Sequence, residues 1–101
     1  MKRLSLIINE SKQNDIVELL QQLKQVSAYT IFHGEGHFPG HIAPFESIQD
    51  EVMGFVPRIY IDLLLEDADV KAVLAEIKKC GSCDAYGGVY WISPVDSMGT
   101  L

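Results

Sequence analysis

Between residues 3 and 8 the chain alternates, with Leu4, Leu6 and Ile8 on one side and Arg3, Ser5 and Ile7 on the other. A period of two predicts a strand with one buried face. The period then lengthens. Ile16, Leu19, Leu20 and Leu23 recur at i, i+3, i+4 and i+7, the apolar stripe of an amphipathic helix, while Gln13, Gln21, Gln22 and Lys24 take its wet side. Asn14 or Asp15 is the expected N-cap, and Asp15 with Glu18 three residues on resembles a capping box. Residues 28–33, rich in β-branched and aromatic side chains, predict a second strand. Residues 58–65 predict a third, with Ile59, Ile61, Leu63 and Leu65 on one face and Pro57 just ahead of it. Glu66, Asp67 and Asp69 then crowd the start of a second helix, where the macrodipole favours anions. Val70, Val73, Leu74 and Ile77 form its stripe, Lys78 and Lys79 close it, and Gly81 is the expected C-cap. Residues 89–92 predict a fourth strand, ended by Ser93 and Pro94.

The order β-α-β-β-α-β predicts an α+β, ferredoxin-like fold: a four-stranded antiparallel sheet with both helices on one face. Residues 1–101 are expected to form a single domain. No periodicity runs from Phe32 to Arg58. A connection that long within a small domain is functional or disordered. A rigid frame displaying one large polar loop suits binding or signalling. The sheet face away from the helices should carry Ser5, Ile7, Tyr60, Asp62 and Leu64, with either Val89 and Trp91 or Tyr90 and Ile92. So apolar a face predicts contact between subunits; the alternative is a scatter of tolerated surface aromatics. Asp62 on that face needs a partner.

Hydrophobic residues make up 48% of the 101 positions, enough for one core, though a chain this small gains from oligomerising. The formal net charge of −6, with no basic face, argues against nucleic acid as a partner. The apolar run at the start meets Asn9 and Glu10 too early for a secretory signal, and no segment approaches membrane-spanning length. The expectation is a cytoplasmic protein without membrane insertion. Two cysteines offer no disulfide framework. Cys80 and Cys83 form a CxxC at a helix C-terminal end, where the dipole does not help a redox thiol. Two inert thiols in a turn are expected, with a metal or redox role as the alternative.

His33, His37 and His41 are spaced by four. Gly34, Gly36, Pro39 and Gly40 oppose a helix there. On an extended chain the three would share a face with Glu35, and imidazoles plus a carboxylate suit Zn(II), Cu(II) or Ni(II). The other reading is ordinary polar residues of a polar loop. Gly87 and Gly88 can admit a ligand close to the backbone or form a tight turn. Nothing groups a catalytic set: the chain has no nucleophile elbow, phosphate loop or HExxH. The protein is expected not to be an enzyme.

Four segments in order resemble the PII-like signalling superfamily, of which the nitrogen regulatory PII proteins are members. They are the first strand and helix; residues 34–41, Gly-Glu-Gly-His-Phe-Pro-Gly-His; residues 55–62, Phe-Val-Pro-Arg-Ile-Tyr-Ile-Asp; and residues 88–96. The resemblance implies a homotrimer whose T-loop, here 34–54, projects outward. It also implies a small effector, often an adenine nucleotide, in clefts between subunits, and a loop that docks on a partner enzyme or transporter. Carried onto this chain, the cleft would be built from Gly34, Gly36, His37, Phe38, Arg58, Gly87 and Gly88. The chain also departs from the pattern. Residues 85–89, Ala-Tyr-Gly-Gly-Val, lack the basic residue that reaches nucleotide phosphates, and the tail beyond Pro94 lacks the arginines expected there. Phe38 stands where the T-loop glutamine belongs, and residues 34–54 contain no tyrosine for nucleotidylation. The chain therefore resembles a divergent branch, with an adenine nucleotide or a divalent transition metal as the implied ligand. Two other functions stay open: a small monooxygenase- or isomerase-type enzyme with a pocket at Ile7, Tyr60, Asp62 and Trp91, or an interaction module without a small ligand.

Overall fold

The computed structural model describes residues 1–37, 54–80 and 88–101. Its strands are β1 (Lys2–Asn9), β2 (Tyr29–Gly36), β3 (Val56–Leu65) and β4 (Val89–Pro94), and its helices are α1 (Gln13–Gln22) and α2 (Val70–Lys79). The strands form one antiparallel sheet in the order β2-β3-β1-β4. This is the ferredoxin-like arrangement that the alternation of periods predicts.

Register decides which side chains meet. β1 and β3 pair Leu4 with Leu63, Leu6 with Ile61 and Ile8 with Ile59, so these six share a face and are buried. Ile16 and Leu20 of α1 and Val70 and Val73 of α2 complete that core, with Leu19, Leu23, Leu74 and Ile77 packed around it. Each fully buried Leu or Ile contributes about 1.5–3 kcal/mol relative to exposure. Both predicted helical stripes therefore face the sheet.

The element ends differ from expectation. A 3-10 turn, Glu10–Lys12, precedes α1, and the Asn9 side chain caps it by accepting from the Ser11 N–H at 2.9 Å. No side chain caps α1 itself, and Asn14 and Asp15 lie inside its first turn. A second 3-10 turn, Asp67–Asp69, leads into α2. β2 runs on through Gly34, Glu35 and Gly36, and β3 begins at Val56 with Pro57 inside it. At Pro57 the strand has a neighbour on the β2 side only, because pairing with β1 stops at Arg58. A missing N–H is tolerated at such a local edge. Gly34 to Gly36 are thus strand, and the connection between β2 and β3 is shorter than 34–54.

The pairs Ser5 with Trp91 and Ile7 with Val89 settle the face of β4: Val89 and Trp91 share the open face. Tyr90 faces the helices, where the Lys78 ammonium lies 5.1 Å from its ring centroid. Cys80, at the end of α2, is disulfide-bonded, so it is not the inert free thiol expected. Gly81 and Cys83 lie outside the described residues. Among those residues, no helix is long and apolar enough to cross a membrane.

Candidate functional site

A row of aromatic rings crosses the open face. Phe32 on β2 meets Tyr60 on β3 edge-on at 6.0 Å, and Tyr60 meets Trp91 on β4 at 5.9 Å. Phe32, Val89 and Trp91 are exposed to solvent. Beneath the rings runs a polar chain. The Tyr60 hydroxyl donates to Ser5 Oγ at 3.2 Å, and Ser5 donates in turn to Asp62 Oδ1 at 2.7 Å. Arg3 Nε stands 3.8 Å from the same carboxylate oxygen. These are the partners that Asp62 required. Ser5, whose cross-strand partners are Asp62 on β3 and Trp91 on β4, is 0% exposed.

Toward the end of the sheet where β2 leaves and β3 enters, the face becomes a hollow. Arg58 lies there with only 6% of its surface exposed, and its Nη2 donates to the Ile7 carbonyl at 3.2 Å. Burial pulls the guanidinium pKa down from its ordinary value, yet arginine remains a cation. Gly34 is its Cα partner on β2. A Cβ at Gly34 would meet nothing within 4 Å, whereas one at Gly36 would stand 2.6 Å from Arg58 Cγ and 3.1 Å from Cδ. The bare strand at Gly36 therefore makes room for the arginine stem, and Gly34 leaves the space beside it open. Ile7, Phe32, Gly34, Gly36, Arg58 and Tyr60 help enclose a cavity of about 460 Å³. Asn9, the cross-strand partner of Arg58, is 4% exposed, and its Nδ2 has no acceptor among the described residues.

The histidines do not assemble as a metal triad among the described residues. His33 Nδ1 is 3.3 Å from Glu10 Oε2, and His37 Nε2 is 3.0 Å from Glu35 Oε1. Register places His33 and Glu35 with Ile59, on the helix side of β2 rather than the open side. No group of three His, Cys, Asp or Glu among the described residues could hold a metal ion. His41 lies outside them.

Of the cleft residues expected from the sequence, Gly34, Gly36, His37 and Arg58 line the one hollow. Gly88 lines a different cavity of about 260 Å³, bounded by Leu6 and Ile8 of β1, Leu74 and Ile77 of α2, and Tyr90. Phe38 and Gly87 lie outside the described residues. Sequence reasoning missed Asn9, read only as the polar residue that ends the opening apolar run, and Phe32, given no face. The signal for Asn9 was an amide placed where a strand turns into a helix; for Phe32 it was the alternation Tyr29, Ile31, His33 around it.

One solved structure, a DUF3240 family protein from Shewanella baltica OS155 at 2.40 Å resolution, superposes with a TM-score of 0.76, covering 99% of this chain and 94% of that one at 22% identity. At that identity the likeness carries the fold alone. The same fold matches 171 chains of solved structures, so shape does not choose a function. No curated protein sequence matches. The family model described as "Protein of unknown function (DUF3240)" matches residues 1–101, and the chain belongs to that family.

Proposed function

We propose that this protein is a PII-like regulatory sensor. It associates as a homotrimer through its open sheet face, takes a small effector in clefts at the seams, and signals to a partner enzyme or transporter through the segment that joins β2 to β3. One observation carries the reading: the exposed aromatic row runs directly into the Arg58 hollow at the end of the sheet from which that segment departs. A ligand there touches both strand ends, so its binding energy acts on the connection between them. Ligand-driven ordering of a segment is an established form of switching. Apolar surface of this kind marks an interface.

The observations favour an organic effector over a metal ion, since each described histidine lies within ion-pair distance of a carboxylate of its own. They also favour regulation over catalysis. Asp62, the acid an enzyme would use on this face, is held by Ser5 and Arg3. Light scattering should give three subunits, and calorimetry against ATP, ADP, cyclic AMP, bicarbonate, Zn(II), Cu(II) and Ni(II) should give heat with an organic effector. A stable monomer in dilute buffer overturns the reading.

A further inference from the structure

We infer that the cleft between α2 and β4, on the helix side of the sheet, binds a small monocarboxylate, its ring or short alkyl body on a carbon floor and its carboxylate at Lys78. The cleft lies apart from the Arg58 hollow. The inference goes beyond the sensor reading and does not rest on it.

Shape comes first. β4 is an edge strand, and Tyr90 and Ile92 pair with Leu6 and Leu4, so both face the helix layer. Yet they stay 43% and 42% exposed. The helix layer therefore stops short of β4 and leaves a gap. The next position on that side, residue 88, is glycine and adds no side chain to close it. In the resulting cavity of about 260 Å³, buried Leu6 and Ile8 form the floor, Leu74 and Ile77 of α2 one wall, and Tyr90 the other. Protein interiors pack without gaps of this size, and an apolar cavity of about 150 Å³ already holds benzene. The space falls below the roughly 300–1,000 Å³ of drug-sized ligands, so it suits one ring or a chain of a few carbons.

Charge selects the head group. Lys78 leans from α2 across the mouth of the cleft, its ammonium 5.1 Å from the Tyr90 ring centroid. Among the described residues no carboxylate pairs with it, Glu76 holding the adjacent Lys79 at 3.1 Å instead, and no Asp or Glu lines the cleft. A cationic ligand would be repelled at the mouth. A second negative charge would be opposed as well, because α2 ends at Lys79 and its last carbonyls carry the negative pole of the helix. One ammonium in this place suits one carboxylate rather than a phosphate monoester.

The test is an NMR titration of the full chain, following the methyl groups of Leu6, Leu74 and Ile77 and the Tyr90 ring. The probes are phenylacetate, hexanoate, 2-phenylethanol, 2-phenylethylamine, phenyl phosphate and acetate. Phenylacetate or hexanoate should give saturable shifts, and phenylacetate should bind tighter than 2-phenylethanol by about two- to fivefold, the worth of one exposed ion pair. The amine and phenyl phosphate should bind more weakly than phenylacetate, and acetate should not saturate. Lys78→Gln, at an exposed position, should keep the melting temperature and bring phenylacetate down to the affinity of the alcohol. Leu74→Phe, which carries a ring into the cleft, should weaken every probe; where it lowers the melting temperature, Lys78→Gln decides. No saturable methyl shift with either carboxylate, an alcohol or phosphate ester as tight as phenylacetate, or an unchanged preference in Lys78→Gln overturns the inference. Shifts confined to Phe32, Gly34 and Tyr60 would place the ligand in the Arg58 hollow, supporting the sensor reading and overturning this site. A monomer whose Leu74 and Ile77 methyls still respond would do the reverse.

Discussion

Gly34 and Gly36 lie two residues apart on one strand and one face, yet the same substitution should act on them in opposite senses. Neither has a left-handed backbone, so space alone separates them. A Cβ at Gly36 would stand 2.6 Å from Arg58 Cγ, 3.1 Å from Arg58 Cδ and 3.2 Å from the Val56 carbonyl oxygen. Carbon atoms settle at about 3.5–4.0 Å, so the arginine stem has to move by roughly 1 Å. It is buried, and movement strains its hydrogen bond to the Ile7 carbonyl. Overpacking of this kind costs about 1–3 kcal/mol, and a hydrogen bond to a charged group is worth about 1.5–3 kcal/mol if lost outright. Against this, alanine recovers about 0.5–1 kcal/mol of the conformational entropy that glycine loses. Gly36→Ala should therefore destabilise by about 1–3 kcal/mol. Gly34→Ala meets no atom within 4 Å and should be neutral or stabilising by up to about 1 kcal/mol. Urea denaturation at one fixed protomer concentration measures both, and each kcal/mol corresponds to roughly 4–8 °C in melting temperature for a chain of this size. Equal midpoints for the two variants would refute the account of how Arg58 is held.

Two further outcomes follow from the polar contacts. Ser5→Ala removes both the acceptor for the Tyr60 hydroxyl and the donor to Asp62 at a fully buried position, and should cost about 1–3 kcal/mol by urea denaturation; an unchanged midpoint would show that the chain holds nothing together. The Met1 amino group lies 2.7 Å from Asp67 Oδ1, and that hydrogen bond holds the Asp67 carboxyl below its ordinary pKa. Since the folded value is the lower one, the contribution to stability is present above the unfolded pKa and is lost as pH falls through the folded one. An NMR titration should find the depressed midpoint, and acetylating the amino group should raise it; no change on acetylation would refute the pairing.

What could be read from the chain follows from how strongly each residue is constrained by its own neighbours in sequence. The six residues Leu4, Leu6, Ile8, Ile59, Ile61 and Leu63 alternate without interruption, and they form the buried face. The helical stripes were legible for the same reason. Gly34, Gly36 and Pro57 have weak strand preference, so local reading placed them in a loop, yet ladder pairing with the opposite strand draws them into the sheet. The capping role of Asn9 is not legible in the sequence, because it is set by the 3-10 turn that follows, which polar Glu10, Ser11 and Lys12 do not announce. The face of β4 was undecidable in principle, since Val89, Tyr90, Trp91 and Ile92 are apolar at both parities and only pairing with β1 selects one. The histidines mislead through even spacing. Alternation along β2 does put His33 and Glu35 on one side, but the acid nearest His33 comes from Glu10, remote in sequence.

The open face has one more property that bears on association. Covering an apolar surface is favourable only if the polar groups beneath it keep their partners. Here they already have them: the Tyr60 hydroxyl, Ser5 and the Asp62 carboxylate bond to one another within the chain. A second copy laid over Phe32, Val89 and Trp91 therefore removes carbon from water without breaking that network. It also lowers the local dielectric around Arg3 and Asp62, whose 3.8 Å separation then gives a stronger attraction. In the proposed assembly the Arg58 hollow lies beside this covered row, at a seam. An effector that binds only the assembled form stabilises it by mass action, so occupancy and association rise together. A bare aromatic sheet is hard to account for in an isolated subunit, and a neighbour seated on Phe32, Val89 and Trp91 accounts for it.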